Sequence, residues 1–308
     1  MKIIVLGGFG FIGACVVDKL RDSRYEIFPM SRQNGLDLLS YDSTVENFNR
    51  VRPDIIINCA THVGSVHYVT EYAADIFYDN VLMILNIYKA VKNNFSETLV
   101  VNPIANCSYP SGFSTLAESD LFNGDIHDSV YGFGHTRRML VAASKVYNKQ
   151  YNIRSHNFII PNAFGPGDSI DPNKTHALNG MIIRMIKSKI NKEKEFIVWG
   201  SGKPVREWAY VDDIADILIR SIYLSKSQID PLNFAREKGH SIAESAKIIA
   251  DLCNYNGEII FDNSYQDGAP LKVMDNAKFH KIFPDFKFFD HKEGIKKTID
   301  YYKRKLLI

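Results

Sequence analysis

Residues 2–13 of the chain read KIIVLGGFGFIG and decide the class of fold. Lys2 to Leu6 is an aliphatic, largely β-branched run of the kind that forms a buried parallel strand. After the glycines, apolar residues recur at helical spacing as far as Leu20. A strand, a glycine turn and a helix N-terminus together allow close backbone approach and present free N–H groups to a phosphate. The stretch predicts a dinucleotide site lined by Gly7, Gly10, Phe11, Ile12 and Gly13.

The composition is that of an ordinary globular protein. The chain has 308 residues, of which 45% are hydrophobic and 23% are charged, and its net charge is +2. No basic stripe and no apolar run of transmembrane length stands out, so we expect neither a nucleic-acid partner nor a membrane partner. The four cysteines are scattered, which argues against a disulfide framework or a metal site and favours a reducing, cytoplasmic location.

Strand-like and helix-like segments alternate along the first half of the chain. The later predicted strands span residues 25–30, 54–58, 98–103 and 154–160, and long helices are predicted over 66–94 and 131–150. This alternation predicts an α/β fold, a doubly wound parallel sheet of the Rossmann type. We expect residues 1–166 to form the dinucleotide-binding domain. Residues 167–308 are expected to form mainly a smaller C-terminal substrate lobe, with some segments returning to the sheet.

The end of the second predicted strand bears on the choice of cofactor. An acidic residue there would bond the ribose 2′-hydroxyl and repel a 2′-phosphate. The chain has Ser31 and Arg32 instead, which favours NADP and leaves NAD as the alternative. A solvated turn is the other interpretation of Arg32. The remaining residues expected at the cofactor are Asp37, as a partner of the adenine amino group, and Leu38, Ala60 and Asn80.

Several further stretches carry a resemblance to a known family. They are residues 106–110 (NCSYP), 131–135 (YGFGH), 162–166 (NAFGP), 171–176 (DPNKTH), 199–208 (WGSGKPVREW) and 211–213 (VDD). With the glycine turn, they resemble the extended short-chain dehydrogenase/reductases of the NAD-dependent epimerase/dehydratase family that act on nucleotide sugars, and within it the GDP-L-fucose synthase group. The resemblance covers nearly the whole chain.

The resemblance implies a redox triad of a Ser or Thr, a Tyr, and a Lys four residues after the Tyr. Carried over by position, Tyr131 matches the Tyr, which exchanges a proton with the sugar oxygen as hydride moves at C4. His135 stands at the Lys position and Ala105 at the hydroxyl position. His titrates near neutrality, whereas Lys is a nearly permanent cation. The missing hydroxyl removes a hydrogen-bond donor of the kind that stabilises a developing oxyanion.

The resemblance also implies acid–base catalysis beside a 4-keto group. Cys107 and His176 fall at the positions of the Cys and His that exchange protons at C3 and C5 of the sugar, with the thiolate expected as the base and the imidazole as the acid. A small buried side chain is the other interpretation of Cys107, and a solvated loop residue that of His176. The substrate-binding residues implied by the same motifs are Arg206 at the nucleotide diphosphate, with Asn106, Asn162, Asp267 and Lys272.

Two classes of function follow. The first is an NADP-dependent nucleotide-sugar epimerase and 4-ketoreductase for a GDP-linked deoxy sugar or heptose, or an epimerase with little net reductase activity. The second is a binding protein on the same fold whose redox triad has decayed, as Ala105 and His135 suggest. The resemblance further implies a homodimer built on a four-helix bundle from the helices predicted over 66–94 and 131–150.

Overall fold

The computed structural model describes residues 1–265 and 267–307. Its main sheet is six-stranded and parallel, in the order β2-β1-β3-β4-β5-β9. These strands are Lys2–Leu6 (β1), Glu26–Met30 (β2), Ile55–Asn58 (β3), Leu99–Ala105 (β4), Ser155–Ile160 (β5) and Gln228–Asn233 (β9). The doubly wound parallel fold predicted from the sequence is confirmed.

Helices cover both faces of this sheet, and the alternation of side chains along each strand divides the core in two. Ile3 and Val5 face the helices Phe11–Leu20 (α1) and Val211–Ser221 (α7). Ile4 and Leu6 face the other layer, which consists of Tyr41–Val51 (α2), Ala73–Asn94 (α4) and Tyr131–Tyr151 (α5). The central strands β1, β3 and β4 are largely apolar because both of their faces are buried.

The order of the strands reverses beside β1. The chain runs outward from β1 to β2 and then crosses to β3 on the other side. Ligands of doubly wound sheets bind in the crevice at the carboxyl ends of the strands at such a switch point. Gly7 follows β1 there, and a Cβ atom on Gly7 would stand 2.8 Å from the carbonyl oxygen of Cys59, which follows β3.

The remaining elements form a second group with its own core. Its strands are Asn162–Phe164 (β6), Glu195–Trp199 (β7), Val205–Tyr210 (β8), Gly239–Ser241 (β10), Glu258–Asp262 (β11) and Leu271–Lys272 (β12). β8 pairs with β6, β10 and β12, and β7 pairs with β11. The helices are Ala177–Ile190 (α6), Ile242–Cys253 (α8) and His291–Lys305 (α10), whereas Ala277–Ile282 (α9) packs against β9 in the core of the main sheet. Buried Phe164, Phe196 and Trp208 lie at the centre of this core. By contrast, β9 and α7, also beyond residue 166, belong to the main sheet and its cover.

The helix predicted over residues 66–94 is two helices in the structure, Val66–Glu71 (α3) and α4. Tyr72, with φ −102° and ψ 32°, ends the first and precedes the second. No glycine or proline marks this break, so the apolar periodicity did not reveal it. Within the described residues, no helix combines the length and the hydropathy needed to cross a bilayer.

Candidate active site

The glycine turn forms a cradle between β1 and α1. Gly7 has φ +68°, which is the left-handed region that favours glycine. Gly10 precedes α1 and, in the described part of the chain, no side chain caps this helix end. The N–H groups of Phe11, Ile12 and Gly13 are in the first turn and lack intrahelical partners. These features fit the pyrophosphate of a dinucleotide, which needs backbone donors and room for close approach.

The predicted adenosine end of the site follows β2. Ser31 caps a short 3₁₀ helix, Arg32–Asn34, by accepting a hydrogen bond from the N–H of Gln33. Arg32 is exposed, so its guanidinium is accessible to a ligand phosphate. Asp37 is exposed and accepts from the N–H of Leu39, while Leu38 is buried in the core. Arg32 is therefore the residue in this segment that suits a 2′-phosphate.

Asn80 lies under the loop that follows β3 and Ala60. Its Oδ1 accepts from Thr61 Oγ1 at 2.9 Å and from the N–H of His62 at 3.2 Å. Its Nδ2 donates to the carbonyl oxygens of His62 and Ile76 at 2.8 and 2.7 Å. Asn80 is fully buried. Since its amide is occupied by protein partners, the structure gives it the role of fixing this loop, which differs from the direct cofactor contact expected from the sequence.

The face that α5 turns toward the site differs from the one expected. Phe133 is buried in a cluster with Cys107, Val69 and Ile76, against which Ala105 also packs. Four residues further on, Arg137 is buried and donates Nη2–H to Asn80 Oδ1 at 2.8 Å. Phe133 and Arg137 thus occupy the positions, relative to the end of β4 and the loop after β3, at which the Tyr and Lys of the redox triad were expected.

Tyr131 and His135 lie on another face of α5. Two residues along an α-helix correspond to a rotation of about 200°. The rings of Tyr131 and His135 are 4.5 Å apart, and Tyr131 is 55% exposed. Both line a surface groove of about 530 Å³, together with Ala73 and Phe77 of α4. The lining residues of this groove include neither Ala105 nor Cys107, so the structure separates the expected Tyr131–His135 pair from them.

Cys107 lies in the short 3₁₀ helix Asn106–Ser108, directly after β4. Burial raises the pKa of its thiol, although the charges of Lys272 and Arg137 act in the opposite direction. Cys107 is therefore protonated at rest, whereas the sequence suggested a thiolate base. Beside it, the Nδ2 of Asn106 is buried without a hydrogen-bond partner among the described residues. An unpaired amide of this kind is suited to a ligand acceptor.

His176 is held by a buried carboxylate. Its Nδ1 is 3.1 Å from Asp168 Oδ2, and its backbone N–H donates to the same oxygen at 2.9 Å. Asn179 also donates to that oxygen at 2.8 Å. Burial by itself raises the pKa of Asp168, but the hydrogen bonds from His176 and Asn179 outweigh it and hold the pKa below its usual value. The His176 ring centroid is 5.3 Å from that of Phe11, at the start of α1.

The expected substrate residues are divided between a basic pair and structural contacts. Lys272 is opposite Arg206 in the pairing of β12 with β8. Burial lowers the pKa of Arg206 to about 10 and that of Lys272 to about 8. Arg206 donates to the carbonyl oxygen of Ala269 at 2.6 Å. Asp267 accepts from the Ser201 hydroxyl, and Asn162 donates to the carbonyl of Glu207, so the protein occupies both side chains.

Comparison with known proteins shows the family to which the chain belongs. The model of the family described as the NAD dependent epimerase/dehydratase family matches residues 3–230. The chain belongs to this family. A probable GDP-L-fucose synthase of Drosophila melanogaster is 28% identical, with 98% of this chain and 97% of that protein covered. A GDP-L-fucose synthetase of Naegleria fowleri bound to NADP superposes with a TM-score of 0.88, at 27% identity, covering 99% and 95% of the two chains.

A third comparison concerns the fold alone. A GDP-6-OMe-4-keto-L-xylo-heptose reductase of Campylobacter jejuni superposes with a TM-score of 0.89 at 22% identity, covering 99% of this chain and 98% of that one. This match covers nearly the whole of both chains, as do the matches to the fucose synthases. Both groups of elements in this epimerase-family structure therefore belong to the shared architecture.

Sequence reasoning missed several residues of this epimerase-family site. Asp168 lies in the loop before His176. Its closeness in sequence to this candidate base was the signal that could have identified it as a partner. Phe133 and Arg137 have the same spacing of four as Tyr131 and His135. This was a signal that either pair could match the Tyr and Lys positions of the triad. Nothing in the sequence pattern indicated that His62 would contact two other side chains, as described below.

Proposed function

We propose that the protein is a GDP-sugar epimerase that moves protons beside a 4-keto group, with NADP bound and little or no hydride transfer through the triad positions. The observation that carries the proposal is a contrast within one site. His176 and Cys107 are present with the oriented imidazole and the buried thiol that proton exchange requires. Phe133 and Ala105 lack the hydroxyl groups that reduction of the ketone would use. GDP-linked substrates are inferred from the names of the relatives.

The NADP site in this proposal is the crevice between β1 and β3. Gly7, Gly10 and Gly13 allow the pyrophosphate to approach, with the N–H groups of Phe11 and Ile12 as donors. Ser31 and Arg32 lie at the 2′-phosphate, with Asp37, Leu38 and Ala60 nearby. NADP, when bound, supplies hydride-transfer chemistry. Arg137 replaces a Lys at the end of this crevice, and its guanidinium is held by Asn80.

The proton chemistry falls to His176 and Cys107. A ketone at C4 acidifies the C–H bonds at C3 and C5, and a positioned base and acid can then invert either carbon. In neutral His176, donation of Nδ1–H to Asp168 leaves the lone pair on Nε2 to accept the carbon proton. Cys107 is a thiol at rest, so it is the group that delivers a proton to carbon. These roles reverse the assignment suggested by the sequence.

The substrate lobe in this proposal holds the nucleotide diphosphate through Arg206 and Lys272. Both are partly buried cations on adjacent strands, and burial lowers the pKa of each, which in Arg206 outweighs the opposing effect of the Asp267 charge. A diphosphate would supply the missing negative charge, and Arg206 offers a planar donor suited to it. Asn106 would contact the sugar, while Asn162 and Asp267 shape the surrounding backbone.

Proton exchange with solvent tests the proposal. The protein is incubated in D₂O with a GDP-4-keto-6-deoxyhexose, and deuterium at C3 and C5 is measured by mass spectrometry and NMR. Cys107→Ser and His176→Gln should each reduce uptake by roughly 10²-fold or more, because each removes one proton carrier. His67→Gln is the matched control, since His67 is exposed on α3 and should leave uptake unchanged. Absence of uptake by the unmodified protein would overturn the proposal.

The second candidate function is a nucleotide-sugar-binding protein without catalysis. The same three substitutions favour it, namely Ala105, Phe133 and Arg137 in place of the redox triad. It predicts tight binding of GDP-sugars and NADP by calorimetry together with no exchange at carbon. The ordered contact between His176 and Asp168 favours the epimerase, because binding alone does not require an oriented imidazole.

We also propose a homodimer formed by α4 and α5. Large apolar side chains are exposed on these helices, among them Phe77, Tyr78 and Leu85 of α4 and Met139 and Val146 of α5. Two copies would bury these faces in a four-helix bundle. Sedimentation equilibrium should give the mass of a dimer, and Leu85→Glu should shift the protein toward monomer. A monomer at micromolar concentration for the unmodified chain would contradict this arrangement.

A further inference from the structure

Three side chains from separate elements form a hydrogen-bonded chain beside the site. His62, in the loop after β3, has its Nδ1 2.8 Å from Asp79 Oδ2 on α4. The Nε2 of the same ring is 3.0 Å from the hydroxyl of Tyr68 on α3. All three side chains are partly buried. The order is phenol, imidazole, carboxylate. In catalytic triads, a carboxylate likewise orients a histidine, and the histidine activates a nucleophile or an acid–base group.

Tyr68 lies against the cluster that contains Cys107. Its ring packs against the group formed by Phe133, Cys107, Val69 and Ile76, to which Ala105 is also adjacent. The phenol ring of Tyr68 therefore lies on the side of α5 where the ring of Phe133 lacks a hydroxyl. In the expected redox triad, the Tyr at this side of α5 exchanges a proton with the sugar oxygen, and Phe133 cannot do so.

The other side of Tyr68 meets the loop that carries His176. A Cβ atom on Gly64 would collide with the Tyr68 ring and with the carbonyl oxygen of Asn173. The N–H of Ser65 donates to that same carbonyl oxygen at 2.7 Å. Since Asn173 is three residues before His176, Tyr68 lies between the Cys107 cluster and the His176 loop. The absence of a side chain at Gly64 is what allows this approach.

The backbone of His62 is fixed by Asn80. Asn80 accepts from the N–H of His62 at 3.2 Å and donates to its carbonyl oxygen at 2.8 Å. Arg137 in turn donates to Asn80 at 2.8 Å. The residue that replaces the Lys of the redox triad therefore supports the loop of His62, and through His62 the hydroxyl of Tyr68. The substitutions at Phe133 and Arg137 and the Tyr68–His62–Asp79 chain are parts of one arrangement.

We propose that Tyr68 is a catalytic acid–base residue of the epimerisation, and that His62 and Asp79 are positioning residues that hold and recharge it. The inference rests on the proposed function. His176 takes the proton from carbon, the C–H electron pair becomes the enol C=C bond, and Tyr68 gives its phenolic proton to the ketone oxygen. Protonated His62 passes its Nε2 proton to Tyr68 and is left neutral, with Nδ1–H on Asp79.

The return step restores every group except the two carbon proton carriers. Cys107 delivers a proton to the opposite face of the carbon, the enol oxygen returns its proton to Tyr68, and Tyr68 returns one to His62. The ketone forms again with the carbon inverted. His176 then holds one extra proton and Cys107 lacks one, and exchange with water resets both. The cycle consumes no reductant or oxidant.

Tyr68→Phe tests the assignment, with Tyr72→Phe as the matched control. The Tyr72 ring lies tilted against that of Tyr68, with 4.8 Å between centroids, but has no contact with His62 among those the described residues show. In the D₂O exchange assay, Tyr68→Phe should lower kcat by roughly 10²-fold with little change in KM, because only the proton donor is removed. Tyr72→Phe should stay within about twofold of the unmodified protein.

His62→Gln and Asp79→Asn add a readout that a structural role would not move. Each should reduce kcat and alter the basic limb of the pH profile of exchange, because the step needs protonated His62, and Tyr72→Phe should leave that limb unchanged. Equal exchange by Tyr68→Phe and Tyr72→Phe, with active unmodified protein, would overturn the role of Tyr68 alone. No exchange by the unmodified protein would overturn the proposed function itself, and with it this assignment.

Discussion

Phe133 is the residue that most affects which reaction the proposed site can support. Reduction of a sugar ketone needs hydride at carbon and a proton at oxygen, and a phenol with a lowered pKa is one way to supply the proton. A phenyl ring supplies none. Epimerisation needs only proton exchange at carbon and a donor at the ketone oxygen, which are the roles proposed above for His176, Cys107 and Tyr68. The same binding geometry can therefore retain one reaction while the other is lost.

Restoring the triad at the positions that the structure indicates should restore reduction. We predict that the triple variant Ala105→Ser, Phe133→Tyr, Arg137→Lys oxidises NADPH in the presence of a GDP-4-keto-6-deoxyhexose, at least 10-fold faster than the unmodified protein. Absorbance at the wavelength of NADPH gives the rate. Tyr131→Phe, in the unmodified background, should change neither NADPH oxidation nor deuterium uptake. A large loss in Tyr131→Phe would return Tyr131 to the site.

Asp168 determines how His176 can act. Asp168→Asn keeps the size of the side chain but removes the charge that favours Nδ1–H of the imidazole. We predict a loss of roughly 10²-fold in deuterium uptake, with KM little changed. Asp171→Asn, in the same loop and partly buried, is the matched control, because Asp171 Oδ1 accepts from the N–H of Asn173 and not from His176. Equal rates for the two variants would show that His176 does not need its carboxylate partner.

The glycine turn is the element on which cofactor binding depends. Gly7→Ala should abolish NADP binding and destabilise the fold by about 1–3 kcal/mol, because it adds a collision with Cys59 to the strain of a positive φ. Gly112→Ala separates the two effects, since Gly112 also has a positive φ, +97°, but has no atom near the added Cβ. Calorimetric titration with NADP and urea unfolding provide the measurements. NADP binding by Gly7→Ala at unchanged affinity would contradict the assignment.

The elements of the main sheet could be predicted because each is a strong local pattern. The strand, the glycines and the first helix occur within twenty residues, and the central strands are nearly continuous apolar runs. The register of α5 could not be predicted in the same way. Residues 131 and 133 are both aromatic, and residues 135 and 137 can both carry positive charge, so the spacing of four fits either pair. Packing of Gly134 against Cys107 fixes the choice.

The Tyr68–His62–Asp79 chain was beyond sequence reasoning for a related reason. Its members come from a loop and two helices, and the break at Tyr72 separates those helices where the apolar periodicity predicted one. After such a break, helical spacing does not predict which side chains of the two helices a loop residue contacts. Cys107 and His176, the proposed proton carriers, could by contrast be found from the motifs that carry the family resemblance.

At the scale of the whole molecule, buried ionisable groups make the stability depend on pH in opposing directions. Burial lowers the pKa of His156 to about 4, and its Nδ1 accepts from the N–H of Gln228. Between pH 4 and 6.5 the unfolded chain binds this proton and the folded chain does not, so stability from His156 rises with pH. Burial raises the pKa of Glu207 to about 7, which makes its contribution fall as pH rises through the same range.

His156→Gln isolates the first of these contributions, because Gln can still accept the hydrogen bond but does not titrate. The free energy of unfolding at pH 7 minus that at pH 5 contains a positive contribution from His156. We predict that this difference is lower by about 2 kcal/mol in the variant, because that contribution is lost. Urea unfolding at the two pH values, for both proteins, gives the comparison. Parallel pH dependence in the variant and the unmodified protein would mean that the pKa of His156 is the same in the folded and the unfolded chain.

The central claim is that this family member exchanges protons at carbon without consuming its nicotinamide. The most direct test is a single reaction in D₂O with a GDP-4-keto-6-deoxyhexose and NADPH, in which deuterium at C3 and C5 and the absorbance of NADPH are followed together. The structure predicts deuterium uptake with NADPH absorbance unchanged. Stoichiometric loss of NADPH, with a 4-hydroxy product, would contradict the account.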